Sequence, residues 1–223
     1  MTDTKPKVFG VGLSRTGTKS LGQALRLLGY SNHTWDRVLH ERWFAGDLEP
    51  LFAVTDEVDC VEDWPFLAIY RELMDRYGDE ARYVLTVRKD PQTWLDSVIA
   101  HAKFQAPHAG PYRRMAFGYD EPEQYPAEYM AYYERHNDGV RAAIAEHGLE
   151  HRFVELCWEK GDGWEAVRPD RAAQARRSVP PSQSPTHGAH RLKISDGDTA
   201  PGLVPPRQPW PGGPLASGAA LLP

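Results

Sequence analysis

The sequence predicts an α/β fold of three layers, in which helices flank both faces of a parallel β-sheet. Residues 8–13 form a short apolar run ending in glycine and serine, which is typical of a buried strand followed by a loop. Residues 83–87, YVLTV, form a continuous apolar run of the kind found in interior parallel strands. Helical periodicity between such runs supplies the crossovers that parallel strands need.

The helices and the last strand follow in order along the chain. Apolar residues from Leu21 to Leu28 recur at helical spacing, and Gly29 marks the end of that helix. Residues 104–126 are rich in Pro, Gly, His and Tyr, and they predict a long loop or lid where a substrate enters. The remaining predicted elements are helices over residues 66–77, 94–102 and 127–146 and a strand over residues 151–158.

Charge and hydropathy exclude several classes of partner. The net charge is −5, and residues 167–223 carry +4, which leaves −9 on residues 1–166. Such an acidic body argues against a nucleic-acid surface. No apolar run is long enough to span a bilayer, and the N-terminus lacks the core of a signal peptide, so a cytoplasmic location is expected. Cys60 and Cys157 are in no metal spacing and are expected to be buried free thiols.

The composition divides the chain into two parts. Residues 1–166 carry the α/β pattern, whereas residues 167–223 hold 11 of the 19 prolines and a single aromatic residue, Trp210. The second part has no sustained period and too little apolar surface to offset the entropy of ordering the chain. A disordered C-terminal tail is therefore predicted after an α/β domain.

A glycine-rich loop follows the first strand. In GLSRTGTKSL, residues 12–21, several backbone N–H groups would meet at the start of a helix, where the helix dipole favours anions. Arg15 and Lys19 add full positive charges, and the hydroxyls add further donors. The spacing differs from the Walker pattern, because Thr18 intervenes between Gly17 and Lys19. The loop therefore predicts a site for a phosphate or sulfate group.

This loop resembles the 5′-phosphosulfate-binding loop of the sulfotransferase family, and it matches the form G-x-x-R-T-G-T-x-S-L at every fixed position. The resemblance covers roughly residues 7–166 and implies a P-loop-like fold. It also implies that the donor is 3′-phosphoadenosine 5′-phosphosulfate (PAPS), with no metal required. The residues that it assigns to donor binding in the loop are Ser14, Arg15, Thr16, Gly17, Thr18, Lys19 and Ser20.

A second segment, YVLTVRKDPQTWLDSV, resembles the family's 3′-phosphate element, in which a strand ends in arginine and the following helix offers serine. Arg88 and Ser97 are the matching residues. They are nine apart where the family has eight, so either the turn bulges or Lys89 shares the arginine role. A magnesium-dependent NTPase needs an aspartate to hold the metal. The arginine favours PAPS over ATP, although the segment ending in Asp63 keeps a phosphotransferase or NTPase open as the alternative.

Sulfuryl transfer needs a cation at the leaving oxygen and a base for the acceptor hydroxyl or amine. Arg15 is predicted to be the cation. Asp63 and His101 are candidates for the acceptor side, together with His33 and Asp36; for Asp63, a helix N-cap is an equally good interpretation. The acceptor itself is predicted only as a small molecule, glycan or lipid. Lys160-Gly161 weakly resembles a further 3′-phosphate contact, and a simple turn is the better interpretation.

The chain stops resembling the family at about residue 166. Reading codons from their second base after that point permits Leu and Cys, and later Pro-Phe-Pro-His-x-Asn over residues 178–184, as the family has. We therefore hypothesise a frameshift, which would remove the last structural element. A third hypothesis is accordingly that the chain is a damaged, non-catalytic descendant of the family. The DNA sequence would show whether the frameshift is present.

Overall fold

A computed structural model describes residues 5–105 and 110–163. Within these ranges, strands form one sheet of order β2-β3-β1-β4-β5, and every pairing is parallel. The predicted α/β class is confirmed. The predicted tail, residues 167–223, and the proposed frameshift lie outside the described residues. The strands are β1 (Lys7–Gly10), β2 (Asn32–His33), β3 (Cys60–Glu62), β4 (Ala81–Thr86) and β5 (Phe153–Leu156).

Helices cover both faces of this sheet. Along β1, Val8 packs with Leu21 and Leu25 of the first helix on one face. Phe9 points to the opposite face, where the core is larger and includes residues of the fourth and seventh helices. The helices are α1 (Thr18–Leu27), α2 (Arg37–Phe44), α3 (Glu49–Glu57), α4 (Tyr70–Tyr77), α5 (Pro91–Gln105), α6 (Gly110–Phe117) and α7 (Pro126–Glu146).

Register explains why two faces of the sheet can both be buried. Phe9 aligns with Val61 of β3 and with Tyr83 of β4, and all three belong to the larger core. Val8 aligns with Cys60, and both belong to the smaller core beneath α1. Apolar residues at successive positions therefore suit a strand that is covered on both sides.

Several boundaries differ from the predicted ones. The helix predicted over residues 66–77 begins with a 3-10 turn, Phe66–Ile69, and continues as α4. The predicted lid, residues 104–126, includes α6, whose Ala116 and Phe117 are buried. The periodicity of α6 was hidden because only these two residues at its end are buried. The short edge strand β2 and helices α2 and α3 were not predicted.

The topology brings three chain segments to one edge. Strand β1 lies between β3 and β4, so the chain leaves β1 next to the ends of both neighbours. Ligands of open parallel sheets bind outside the carboxyl ends of the strands, where the strand order changes direction. The β1–α1 loop, Asp63 after β3 and Arg88 after β4 all lie at this edge. The predicted donor residues are therefore neighbours in the fold.

Candidate active site

The β1–α1 loop is a tight, internally bonded turn. The Leu13 carbonyl accepts hydrogen bonds from the Thr16 amide at 3.3 Å and from the Thr16 hydroxyl at 2.6 Å. That hydroxyl also lies 2.6 Å from the hydroxyl of Thr86 at the end of β4. Arg15 and Gly17 have positive φ, of 74° and 102°. These bonds fix the loop against the sheet and leave Arg15 half-exposed at its tip.

Two glycines of the loop are required by close neighbours. A Cβ on Gly12 would lie 2.3 Å from the hydroxyl oxygen of Thr86. A Cβ on Gly17 would lie 2.3 Å from the indole nitrogen of Trp158, which packs against the loop from the end of β5. The sequence indicated glycines for anion binding, but it gave no sign that Trp158 covers Gly17. The indole therefore forms part of the wall beside the loop.

Arg88 lies at the centre of the site and contacts Arg15, Ser97, Tyr133 and Glu159. Its Nε donates to the Arg15 carbonyl at 2.7 Å, and its Nη2 donates to the Ser97 hydroxyl at 3.3 Å. Its backbone amide donates to the Tyr133 hydroxyl at 2.8 Å. The extra residue between Arg88 and Ser97 thus does not keep the two side chains apart. The contact between Arg88 and Ser97 that the resemblance implies is therefore possible at this spacing.

Helix α5 is set in place by its own start signals. Asp90 accepts a hydrogen bond from the Thr93 amide at 2.7 Å, and Pro91 is the first helical residue. Trp94, which is fully buried, donates its indole N–H to the Ser14 carbonyl at 2.9 Å. The helix is thereby fastened to the β1–α1 loop, and Ser97, one turn further on, faces the two arginines.

The two arginines share one hydroxyl. Arg15 Nε donates to Ser97 Oγ at 3.2 Å, and Arg88 Nη2 approaches the same oxygen. Burial and the positive charge of Arg88 lower the pKa of Arg15, and Asp63 partly opposes them. Two guanidinium groups held this close favour an anion between or beside them. Lys19, exposed in the first turn of α1, adds a third positive charge.

Glu159, which the sequence analysis did not single out, contacts this cluster. Its Oε1 lies 2.6 Å from Arg88 Nη1, and its Oε2 accepts the Lys89 amide at 2.9 Å. A groove of about 560 Å³ opens beside Arg88 and Lys89, and Lys160 also lines it. Residues Trp158–Lys160 form a 3-10 turn that ends at Gly161, so the predicted turn is confirmed.

Asp63 faces the loop. Its Oδ1 accepts hydrogen bonds from the Ser14 hydroxyl and from the Trp64 amide, the latter at 2.8 Å, and its Oδ2 lies 3.5 Å from the Thr18 hydroxyl. The interpretation as a helix N-cap is wrong, because the 3-10 turn begins after Pro65 and has no side-chain cap. Asp63 also has positive φ, 72°, which places its carboxylate under the loop.

His101 lies on α5 within the field of the same charges. Burial and the positive charges of Arg15 and Lys19 lower its pKa from 6.5, whereas Asp63 acts in the opposite direction. The imidazole is therefore neutral at pH 7 and able to accept a proton. The other two candidates for the base contact each other, because His33 lies 3.5 Å from Asp36. Asp36 also caps α2 by accepting a hydrogen bond from the Leu39 amide at 3.0 Å.

An aromatic cluster lies directly after Asp63. The Trp64 ring stacks on His40 at 5.4 Å between centroids and meets the edge of Phe117 at 5.7 Å. His40 also contacts the Tyr112 ring of α6 at 5.7 Å. Burial lowers the pKa of His40 to about 4, so its imidazole is neutral at pH 7 and packs as an aromatic ring. Tyr112 and Phe117 fall within the predicted lid, residues 104–126, whereas His40 was missed because it lies far away in sequence.

The described part of the chain has three further properties that bear on function. No group of three or more His, Cys, Asp or Glu side chains within it could hold a metal ion. None of its helices is long and apolar enough to cross a bilayer. Cys60 and Cys157 are buried free thiols, as predicted.

The fold and the loop define the class: a parallel α/β protein with a glycine-rich loop after its central strand. Comparison with known proteins shows what the chain is similar to. A family model described as Sulfotransferase domain matches residues 7–110. The chain is also 27% identical over 201 residues to Ava biosynthesis cluster protein M of Aspergillus versicolor, covering 72% of this chain and 74% of that protein. The predicted resemblance to sulfotransferases is confirmed, and residues 7–110 are the part of the chain that matches the family model.

Proposed function

We propose that this chain transfers a sulfuryl group from PAPS to a hydroxyl or amine of a small-molecule, glycan or lipid acceptor. The observation that carries the proposal is the convergence of Arg15 and Arg88 on the Ser97 hydroxyl beside the glycine loop. Two neighbouring cations and a loop of N–H donors suit a nucleotide with anionic groups on both its 5′ and 3′ sides.

The residues present fit that donor. The N–H groups of residues 17–19 at the start of α1 suit the 5′ phosphosulfate, because the helix dipole and Lys19 favour negative charge there, whereas the Thr16 amide donates to the Leu13 carbonyl. Arg88, Ser97 and the Lys89 amide suit the 3′-phosphate, since all three donors lie within one small cluster at the end of β4. The groove beside Arg88 and Lys89 is lined further by Lys160 and by residues of α7, so it opens on the 3′ side of the cluster and not at the β1–α1 loop.

The chemistry follows from the same groups. In the transfer, the bond from sulfur to the donor's bridging oxygen breaks, and a bond from sulfur to the acceptor oxygen or nitrogen forms. Negative charge grows on the leaving phosphate, so Arg15, a fixed cation at the loop tip, stabilises it. The products are the sulfated acceptor and adenosine 3′,5′-bisphosphate.

The acceptor proton needs a base, and His101 suits that role better than Asp63. His101 is neutral at pH 7, since burial and two neighbouring cations lower its pKa. Both carboxylate oxygens of Asp63 already accept hydrogen bonds from the loop hydroxyls of Ser14 and Thr18. We therefore assign proton acceptance to His101 and positioning of the loop to Asp63.

The acceptor side favours an aromatic alcohol as the first candidate. Trp64 and His40 are buried, and the half-buried Tyr112 ring packs against His40, so Tyr112 is the ring of this cluster that an acceptor can reach. Such a ring suits contact with a flat apolar surface. The fungal relative is named for a biosynthesis cluster, which favours a small molecule over a glycan or a lipid.

One observation favours a second candidate, a magnesium-dependent phosphotransferase. Asp63 ends the strand next to β1 and contacts Thr18 in the first turn of α1, where NTPases use an aspartate near the metal. Arg88 at the end of β4 weighs against it, because this position suits a second phosphate.

The test is a transfer assay with the full chain. Radiolabelled PAPS is incubated with a panel of phenols, aliphatic alcohols and amines, and both labelled product and adenosine 3′,5′-bisphosphate are measured. We expect transfer to a phenol that Arg15→Ala abolishes and that Arg26→Ala, at the far end of α1, leaves intact. Transfer of phosphate from ATP with Mg²⁺, and none from PAPS, would contradict the proposal.

A further inference from the structure

The carboxylate of Glu159 holds the same donors that the 3′-phosphate would use. Its Oε1 lies 2.6 Å from Arg88 Nη1, and its Oε2 accepts the Lys89 amide at 2.9 Å. A carboxylate and a phosphate oxygen pair accept hydrogen bonds from arginine in the same forked geometry. Glu159 therefore lies where an incoming phosphate would bind.

The Glu159 carboxylate is held in its charged form. The hydrogen bond from the Lys89 amide, together with the hydrogen bond and charge of Arg88, lowers its pKa and outweighs burial, which acts in the opposite direction. The side chains of Arg88 and Glu159 are only 26% and 28% exposed, so water screens the pair less than it screens an ordinary surface pair. A negative group is thus already paired with Arg88 before any nucleotide arrives.

The turn that carries Glu159 also reaches the 5′ side. Trp158, the preceding residue, packs against Gly17 of the loop so closely that a Cβ there would overlap its indole. The turn is short and defined: the Cys157 amide donates to Asp162 at 2.7 Å, and Gly161 ends the turn with a φ of 88°. One 3-10 turn therefore contacts both halves of the donor site.

We propose that Glu159 is an intramolecular occupant of the 3′-phosphate subsite, and that a donor nucleotide must displace it from Arg88 and Lys89. This inference rests on the proposed function. Displacement costs affinity for any nucleotide with a 3′-phosphate and costs nothing for one without it. Glu159 is thus a residue that sets donor affinity and specificity, and Trp158 links its release to the 5′ loop.

The test measures affinity by calorimetry for two nucleotides that differ only in the 3′-phosphate, adenosine 3′,5′-bisphosphate and adenosine 5′-monophosphate. The variants are Glu159→Gln and Glu159→Ala, and thermal unfolding checks that both fold. The matched control is Glu146→Gln, which breaks an Arg71–Glu146 pair of the same 2.6 Å length at the end of α7. We expect both Glu159 variants to bind the bisphosphate about three- to tenfold more tightly.

The monophosphate should bind all four proteins within about twofold of one another. Bisphosphate affinity that is unchanged or weaker in the Glu159 variants would overturn the inference, as would an equal gain for the monophosphate. If neither nucleotide binds the wild type or any variant, the proposed donor is wrong. Inorganic phosphate then tests Glu159 alone: binding that appears only in the Glu159 variants supports its occupancy, and its absence overturns it.

Discussion

The two halves of the candidate site are built differently. On the donor side, the loop, Arg88 and Ser97 are joined by hydrogen bonds of 2.6–3.3 Å that link β1, β4 and α5. On the acceptor side, Trp64, His40 and Tyr112 come from separate elements and meet through ring contacts. Directional bonds fix charged groups to a fraction of an ångström, whereas ring contacts tolerate shifts.

This difference teaches where chemistry and where specificity reside. The donor side must hold fixed charges at fixed points, because the groups that it binds carry negative charge that grows during transfer. The acceptor side needs one base and a surface of the right shape. Substitutions on the donor side should therefore affect binding of every donor nucleotide, and substitutions on the acceptor side should affect rate and choice of acceptor.

The largest expected effect comes from the base. His101→Gln should lower kcat by roughly 10²–10⁴-fold, because the acceptor proton loses its neutral imidazole. Affinity for adenosine 3′,5′-bisphosphate should hardly change. His33→Gln, which removes an imidazole paired with Asp36, is the matched control and should keep full activity. Equal losses in both variants would show that His101 has no special role.

The same residue sets a pH dependence. The His101 pKa is lowered from 6.5, so the imidazole is fully neutral above pH 7 and becomes protonated only below pH 6.5. In the wild type, kcat/KM should therefore be level above pH 7 and fall as the pH drops below 6.5. In His101→Gln, the residual kcat/KM should not fall as the pH drops below 6.5. If the same fall is still seen in this variant, another group is the base.

The next effect tests the donor side through its backbone. Gly17→Ala should destabilise the fold by about 1–3 kcal/mol and abolish bisphosphate binding, because the residue has a φ of 102° and would overlap Trp158. Gly46→Ala is the control, since Gly46 has a φ of 80° but nothing within 4 Å. Denaturant unfolding measures the change in stability, and calorimetry measures the binding of the bisphosphate.

A double variant separates strain from overlap. In Gly17→Ala with Trp158→Ala, the overlap with the indole is gone and only the strain of a positive φ remains. We expect the double variant to regain part of the stability lost by Gly17→Ala. No recovery would mean that the indole does not pack on the loop.

The smallest expected effect concerns the acceptor side. Burial lowers the pKa of His40 to about 4, below the 6.5 of an unfolded chain. Unfolded chains therefore bind more protons between these values, and the wild type should lose stability as the pH falls from 6.5 to 4. His40→Phe should reduce this loss in the free energy of unfolding by about 1–2 kcal/mol between pH 6.5 and pH 4. Trp43→Phe, which keeps a ring beside His40 and removes no titratable group, is the control and should leave the pH dependence unchanged.

How far the sequence predicted this site depends on how local each signal was. The loop and the YVLTVRKDP segment carry their geometry within a few residues, so the positions of Arg15, Arg88 and Ser97 relative to one another were foreseen. The Asp63 carboxylate was foreseen near the site, but its contacts with Ser14 and Thr18 required the pairing of β3 with β1. His40 and Glu159 were missed because nothing near them in sequence indicates what they touch.

The most direct test of the donor site is a metal-free calorimetric titration with adenosine 3′,5′-bisphosphate, compared with ADP plus Mg²⁺. Wild-type protein should bind the bisphosphate without metal and prefer it to ADP. Arg88→Ala should weaken that binding on the order of 100-fold, because a forked hydrogen bond to phosphate is lost, while Arg71→Ala should not change it. Tighter binding of ADP with Mg²⁺, or bisphosphate binding that is indifferent to Arg88, would contradict the account.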